Sequence, residues 1–259
     1  MSSELITTAA IGLLANNILG PTSKALGNDL LGAYQQGKRL ILEKTKSKIK
    51  NKDKDSPANL RTAYETIING GFSDSEVAAE YFSGILADSK REQGTNDRGV
   101  YFSNIVKSLS SKQLLLHYLL YSGANNLYRA EKLNFHARDG AKLGEYNVYF
   151  STAELLKGPA MLEGADIGFL LHSLHSAGLL EDLEVNQIII SEEKQIPFHY
   201  TRVKLTPLGI QLYALVNNHF DQWDSFSSYN FGTVSSMKIP RLVLPDLEKI
   251  KKIGEETKK

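Results

Sequence analysis

The sequence predicts a mainly α-helical chain, a helical N-terminal region followed by a winged-helix-like α+β module with a two-stranded wing. Three observations predict it. A cap-forming Ser or Thr with matched apolar neighbours recurs at four places, each marking a helix start. Apolar residues recur at helical spacing in both halves. Two β-patterned runs, residues 185–190 and 198–205, flank a polar turn of Glu192, Glu193 and Lys194. On this reading residues 1–106 form the helical region and 107–220 the winged-helix-like module. Residues 221–259 form a C-terminal tail with a charged helix.

Leu5 to Ser23 is free of charge and approaches the length of a membrane span. Thr7, Thr8, Asn16, Asn17, Gly12, Gly20 and Pro21 lower its transfer energy, which favours a packed or self-associating helix over membrane contact. Leu5, Ile6, Ile11, Leu14 and Ile18 would carry either role. Ser23 to Lys50 reads as a long helix with its stripe on Leu26, Leu30, Tyr34 and Ile41, and with Ala33 and Gly37 near that stripe. Past Ile41 the chain turns basic at Lys44, Lys46, Lys48 and Lys50, which reads as a helix end fraying into a solvated linker. Asn59 to Asn69 predicts a short helix burying Leu60, Ala63, Tyr64, Ile67 and Ile68, stopped by Gly70 and Gly71.

The four helix starts follow. Ser73 with Glu76 makes a capping box, and Phe72 and Val77 can staple it. Ser110 with Gln113 makes a second, stapled by Leu109 and Leu114, and Ser151 with Glu154 a third, stapled by Phe150 and Leu155. Thr206 caps a fourth helix with Pro207 in its first position, where a missing N–H costs nothing. Between Asn125 and Phe150 the pattern weakens, so this stretch reads as a loop inserted into the module, with a short strand. Gly164 to Ala177 predicts a helix burying Ile167, Leu170, Leu171 and Leu174 and ending at Gly178. Helix, helix, helix, hairpin, helix is then the order of a winged helix.

The chemistry-bearing classes are thin. With 259 residues and no Cys, the chain can build a sizeable core but no disulfide, thiolate metal site or Cys nucleophile. That composition, and a start without a basic cluster ahead of its apolar run, fit a cytoplasmic protein. His172 and His175, spaced i, i+3, could present two metal ligands, but two histidines alone do not make a site. No phosphate-binding glycine loop and no nucleophile elbow occurs, so no catalytic residue, metal or cofactor is expected.

Net charge is +1, so any attraction to nucleic acid must be local. The helix ahead of the wing argues against it. From Gly158 to Asn186 there is no Lys or Arg, whereas Glu163, Asp166, Glu181, Asp182 and Glu184 are acidic. Phosphates would be repelled there. Lys194, Arg202 and Lys204 on the wing are the residues a nucleic-acid-binding alternative would use. Otherwise the module reads as a structural or protein-binding element.

Two stretches carry a family resemblance: SDSEVAAEYFSGILADS at Ser73 to Ser89 and VYFSNIVKSLSSKQLLLHYL at Val100 to Leu119. They resemble the abortive infection alpha family of bacterial proteins, as do the upstream LGNDLLGAYQQGKRLILEK and the downstream LTPLGIQLYALV. The resemblance covers about two thirds of the chain and rests on helix packing rather than chemistry. It implies a non-enzymatic antiviral defence protein, responding to phage through protein contacts and self-association. The stretch from Asn125 to Phe150 is an addition to the family pattern and could determine the partner.

Overall fold

A computed structural model describes residues 21–49, 53, 55–72, 75–157, 162–191, 196–234, 237 and 239–249. The chain divides into two compact units, Met1–Ser108 and Leu109–Lys259. Among the described residues the first unit is helical, with α1 (Pro21–Lys48), α2 (Leu60–Gly71), α3 (Glu76–Asp88) and α4 (Arg98–Ser108). The second holds α5 (Ser111–Ala130), α6 (Gly140–Gly144), β1 (Val148–Ser151), α7 (Thr152–Lys157) and α8 (Ile167–Ser176). It continues with β2 (Leu180–Ser191), β3 (Ile196–Leu205), α9 (Pro207–Val216) and β4 (Val243–Leu244). The protein is thus mainly helical, with a four-stranded antiparallel sheet in its C-terminal half, ordered β2-β3-β1-β4.

In the first unit the helices approach through small residues. A Cβ at Gly70 would lie 2.5 Å from Ile41 Cδ1, and one at Gly99 would lie 2.3 Å from Thr62 Cγ2. Thr66 and Ser103 hydroxyls bond across the α2–α4 contact at 3.2 Å. The predicted apolar face of α2 is therefore corrected. Thr62, Thr66, Gly70 and Gly71 are buried, while Leu60 is 86% and Tyr64 58% exposed. The predicted stripe of α1 shifts as well. Leu30 is exposed, and the inner face runs through Gly37, Ile41 and Thr45.

The cap of α3 is Ser75, not Ser73, which lies outside the described residues; the Ser75 hydroxyl accepts from the Ala78 N–H. Phe72 rests against Tyr34, with ring centroids 5.1 Å apart.

In the second unit the predicted starts hold more closely. Ser110 and Gln113 form a reciprocal capping box. Thr206 caps α9, with Pro207 at the helix start. The Ser151 hydroxyl accepts from the Glu154 N–H, but the Glu154 carboxylate accepts from the Arg241 and Leu242 N–H groups instead of closing a box. It thereby holds the chain leading into β4 against β1.

The stretch from Asn125 to Phe150 holds the expected short strand, as β1, but it is more than an inserted loop, because it begins within α5 and includes α6. Asn125 lies inside α5, where its side-chain amide donates to the Phe226 and Tyr229 carbonyls at 2.6 and 3.0 Å. The stretch ends in β1, an inner strand that pairs with β3 on one side and β4 on the other. The segment from 221 onward is likewise part of the second unit. Phe226, Phe231 and Met237 are buried, and the Val234 N–H donates to the Tyr118 hydroxyl at 2.7 Å. The charged last helix falls mostly outside the described residues, as does the apolar run from Leu5 to Gly20. Among the described residues no helix is long and apolar enough to cross a membrane.

Candidate interaction surface

The surface of α8 and the β2–β3 hairpin is positioned by one buried knot. Tyr121 of α5 donates its hydroxyl proton to the Leu179 carbonyl at 2.5 Å and accepts from the Thr206 N–H at 3.2 Å. It so joins the turn before β2 to the corner after β3. The ring reaches there because residue 209 is glycine, where a Cβ would lie 1.9 Å from the Tyr121 oxygen. His117 stacks on Tyr121 with centroids 4.5 Å apart and donates from Nε2 to the Gly209 carbonyl at 3.2 Å. Complete burial pulls its pKa down to about 3, against the pull of that carbonyl.

Register assigns the two faces of the sheet. Val148, Phe150, Thr201 and Val203 are buried and share the inner face, because paired residues of an antiparallel ladder point the same way. Tyr149, Arg202 and Glu184 share the outer face. There Arg202 bonds Asp182 through Nη1 at 2.8 Å, Glu184 through Nε at 2.9 Å and the Asn147 side chain at 3.0 Å. The Tyr200 hydroxyl donates to the same Glu184 at 2.9 Å. Bonding from Arg202 holds the Asp182 carboxyl below its usual range; for Glu184 the Asn186 amide is the largest cause, followed by Arg202 and Tyr200.

This arrangement decides what the predicted wing cations can do. Arg202 is held between two carboxylates, with its side chain only 17% exposed, and is not presented to a polyanion. Lys204 is partly buried, opposite Asp182 in the ladder, and Lys194 lies outside the described residues. Large apolar side chains are exposed in this region, Phe169 of α8 at 63%, Val185 at 43%, Ile189 at 40%, and Ile196, among exposed polar ones such as His172, Glu181, Gln187 and His199.

The basic run at the end of α1 is corrected too. Lys44 donates to Glu80 at 2.7 Å, and Lys48 pairs with the same carboxylate at 2.6 Å and donates to the Glu80 carbonyl at 2.8 Å. Both lysine side chains are more than four-fifths covered. Burial pulls the Lys48 ammonium below its ordinary range, against the attraction of Glu80. Burial also opposes the ionisation of Glu80, but Lys48 and Lys44 outweigh it and its pKa falls. Lys46 is exposed, on a surface depression that also has Gln35, Lys38, Arg39, Leu42 and Glu43. Lys50 lies outside the described residues.

His172 and His175 are both exposed on α8, and no cluster of potential metal ligands occurs among the described residues. Sequence reasoning missed the Glu80 cluster because its three members come from positions 44, 48 and 80, and no local pattern joins them. The i, i+4 spacing of Lys44 and Lys48 was the available signal: it places both on one side of a helix, in line with buried Ile41. No family model, no curated protein and no solved structure matches the chain.

Proposed function

We propose that this chain is a non-enzymatic defence or regulatory protein that acts through protein contacts, as its resemblance to the abortive infection alpha family implies. One observation carries the reading. The α8 and β2–β3 surface exposes apolar side chains, while its central cation, Arg202, is neutralised by Asp182 and Glu184. Apolar surface exposed beside polar groups is what a protein partner buries; a phosphate backbone calls for free cations.

Plaque formation on bacteria expressing the chain tests this. Protection by the native chain, lost in Phe169→Asp and Ile189→Lys but kept in Lys204→Ala, is the expected result. Protection lost only in Lys204→Ala would overturn it.

A second reading has its own observation. The order α5, α6, β1, α7, α8, β2, β3, with β1 antiparallel to β3, supports a winged-helix-like reading, and winged helices are a scaffold used by transcriptional regulators. Duplex DNA binding distinguishes the two readings. Tight binding that falls steeply between 50 and 200 mM salt, on the order of a thousandfold, would favour the nucleic-acid reading. We expect weak binding at both.

A further inference from the structure

We propose that residues 89–97 form a strap that opens and closes on the first unit, with its closed form held under strain. The inference does not depend on the protein-contact reading above, because every residue it uses belongs to the first unit.

The strap joins α3 to α4, and its middle is a left-handed turn. Glu92 stands at φ 53°, ψ 33° and Gln93 at φ 55°, ψ 33°, and Gly94 follows at φ 75°. Residues with a side chain visit this region singly, because their Cβ crowds the following carbonyl oxygen. Two in succession make the turn costly, and neither is Asn or Asp, whose short side chains bond locally there. Gly94 escapes that cost. It is also required by close approach: a Cβ at residue 94 would lie 2.8 Å from the Pro57 carbonyl oxygen.

A second, separate cost sits at the anchors of the strap. Asp88, at the end of α3, is 2% exposed. Its Oδ2 accepts from Arg98 Nε at 2.8 Å, whereas its Oδ1 faces Arg91 Nε at 3.4 Å and accepts no hydrogen bond. Thr62, buried in the first turn of α2 and packed on Gly99, also has a hydroxyl without a hydrogen bond. A buried polar atom left so keeps its desolvation penalty.

Against these costs stand a few clasps. The Asn59 side-chain amide donates to the Gly94 carbonyl at 2.9 Å, and its oxygen accepts from the Thr62 N–H at 3.0 Å, so the residue that caps α2 also holds the strap. The Asp88–Arg98 pair holds its far end. Residues kept in rare backbone regions persist only where their surroundings impose them, and they cluster in segments that switch. On opening, Glu92 and Gln93 relax, and Asp88 Oδ1 and Thr62 Oγ1 gain water. The Asn59 clasp and the Asp88–Arg98 pair are lost. Gains and losses oppose each other, which brings the two forms close in free energy. The open form uncovers the Asp88 carboxylate and the end of the α2–α4 seam, where Thr62 meets Gly99.

Trypsin reads the opening, because the Arg91 side chain is only 11% exposed in the closed form. Under native conditions the full chain should be cut after Arg91. The rate should change less than about twofold on adding about 1 M urea, since a loop that opens exposes little surface. Gly94→Ala disfavours the closed form and should speed that cut by about tenfold or more. Glu92→Gly and Gln93→Gly relieve the turn. They should slow exchange of the Thr95 amide, which donates to the Glu92 carbonyl at 3.2 Å, about threefold singly and about tenfold together. Glycine placed in an unstrained loop loosens the chain and speeds exchange. Cleavage that appears only where urea unfolds the whole unit would overturn the proposal. So would a Gly94→Ala chain cut no faster than the native one, or faster Thr95 exchange in the glycine variants.

Discussion

Two residues carry more of the second unit than their size suggests. Gly209 is required by close approach: a methyl group there meets the Tyr121 oxygen at 1.9 Å and the Leu179 carbonyl oxygen at 2.8 Å, and the latter is backbone. Gly209→Ala should cost about 3 kcal/mol in urea unfolding, the upper range for overpacking. Adding Tyr121→Phe should recover part of that loss, because the atom in closest conflict is then gone. His117 gives a pH signature. Its folded pKa is about 3 against an unfolded value of 6.5. Above pH about 6.5 both states are neutral; below it the unfolded chain takes up a proton and the folded chain does not, so stability falls with pH down to about 3. Between pH 7 and 5 the loss is about 2 kcal/mol. His117→Gln, which can still donate to the Gly209 carbonyl, should lack that slope, measured as the change in urea midpoint between the two pH values. An unchanged slope would mean that His117 is protonated in the folded chain.

At the scale of elements, the Glu80 cluster shows how a charge run becomes a packing device. Lys44 and Lys48 lie on the inner side of α1, so their ammonium groups reach the carboxylate of α3. Removing one partner leaves a covered charge without its complement. Glu80→Gln should therefore cost about 3 kcal/mol, whereas Lys48→Met with Glu80→Leu should cost less than the sum of the two single changes. Calorimetric midpoints of the native chain, Glu80→Gln, Glu80→Leu, Lys48→Met and the double variant would show it.

The same elements show what the sequence could and could not reveal. Two caps were legible because they are local: Ser110 and Thr206 each bond an N–H three residues on. The buried side of α2 was not. Apolar periodicity selects Leu60 and Tyr64, but the contact with α1 and α4 is made through Thr62, Thr66 and Gly70, which let the backbones approach. β1 was legible as a short strand but not as an inner one, because its neighbours come from distant sequence: Val148 pairs with Val203 on one side and Tyr149 with Leu244 on the other. Of the interaction surface, the acidic character was legible in composition. The neutralisation of Arg202 was not, because it needs the register that brings Asp182, Glu184 and Arg202 together.

For the whole molecule, the two units each have a core of their own. The first is built on Ile41, Tyr81, Phe82 and Ile85, and the second on Tyr118, Tyr121, Tyr213 and Phe226. Domains with separate cores open as separate cooperative units, each with its own free energy, which amide exchange reads segment by segment. Glu80→Gln weakens an ion cluster lying wholly within the first unit; Gly209→Ala overpacks a knot lying wholly within the second. Under conditions where exchange reports opening equilibria, Glu80→Gln should lower protection in α1 and α3 and leave α5 and α9 unchanged. Gly209→Ala should do the opposite. At about 3 kcal/mol each shift would be more than a hundredfold in exchange rate. If either substitution lowered protection by the same factor in both units, the chain would be opening as one body. The division at residue 108 would then describe geometry without describing cooperativity.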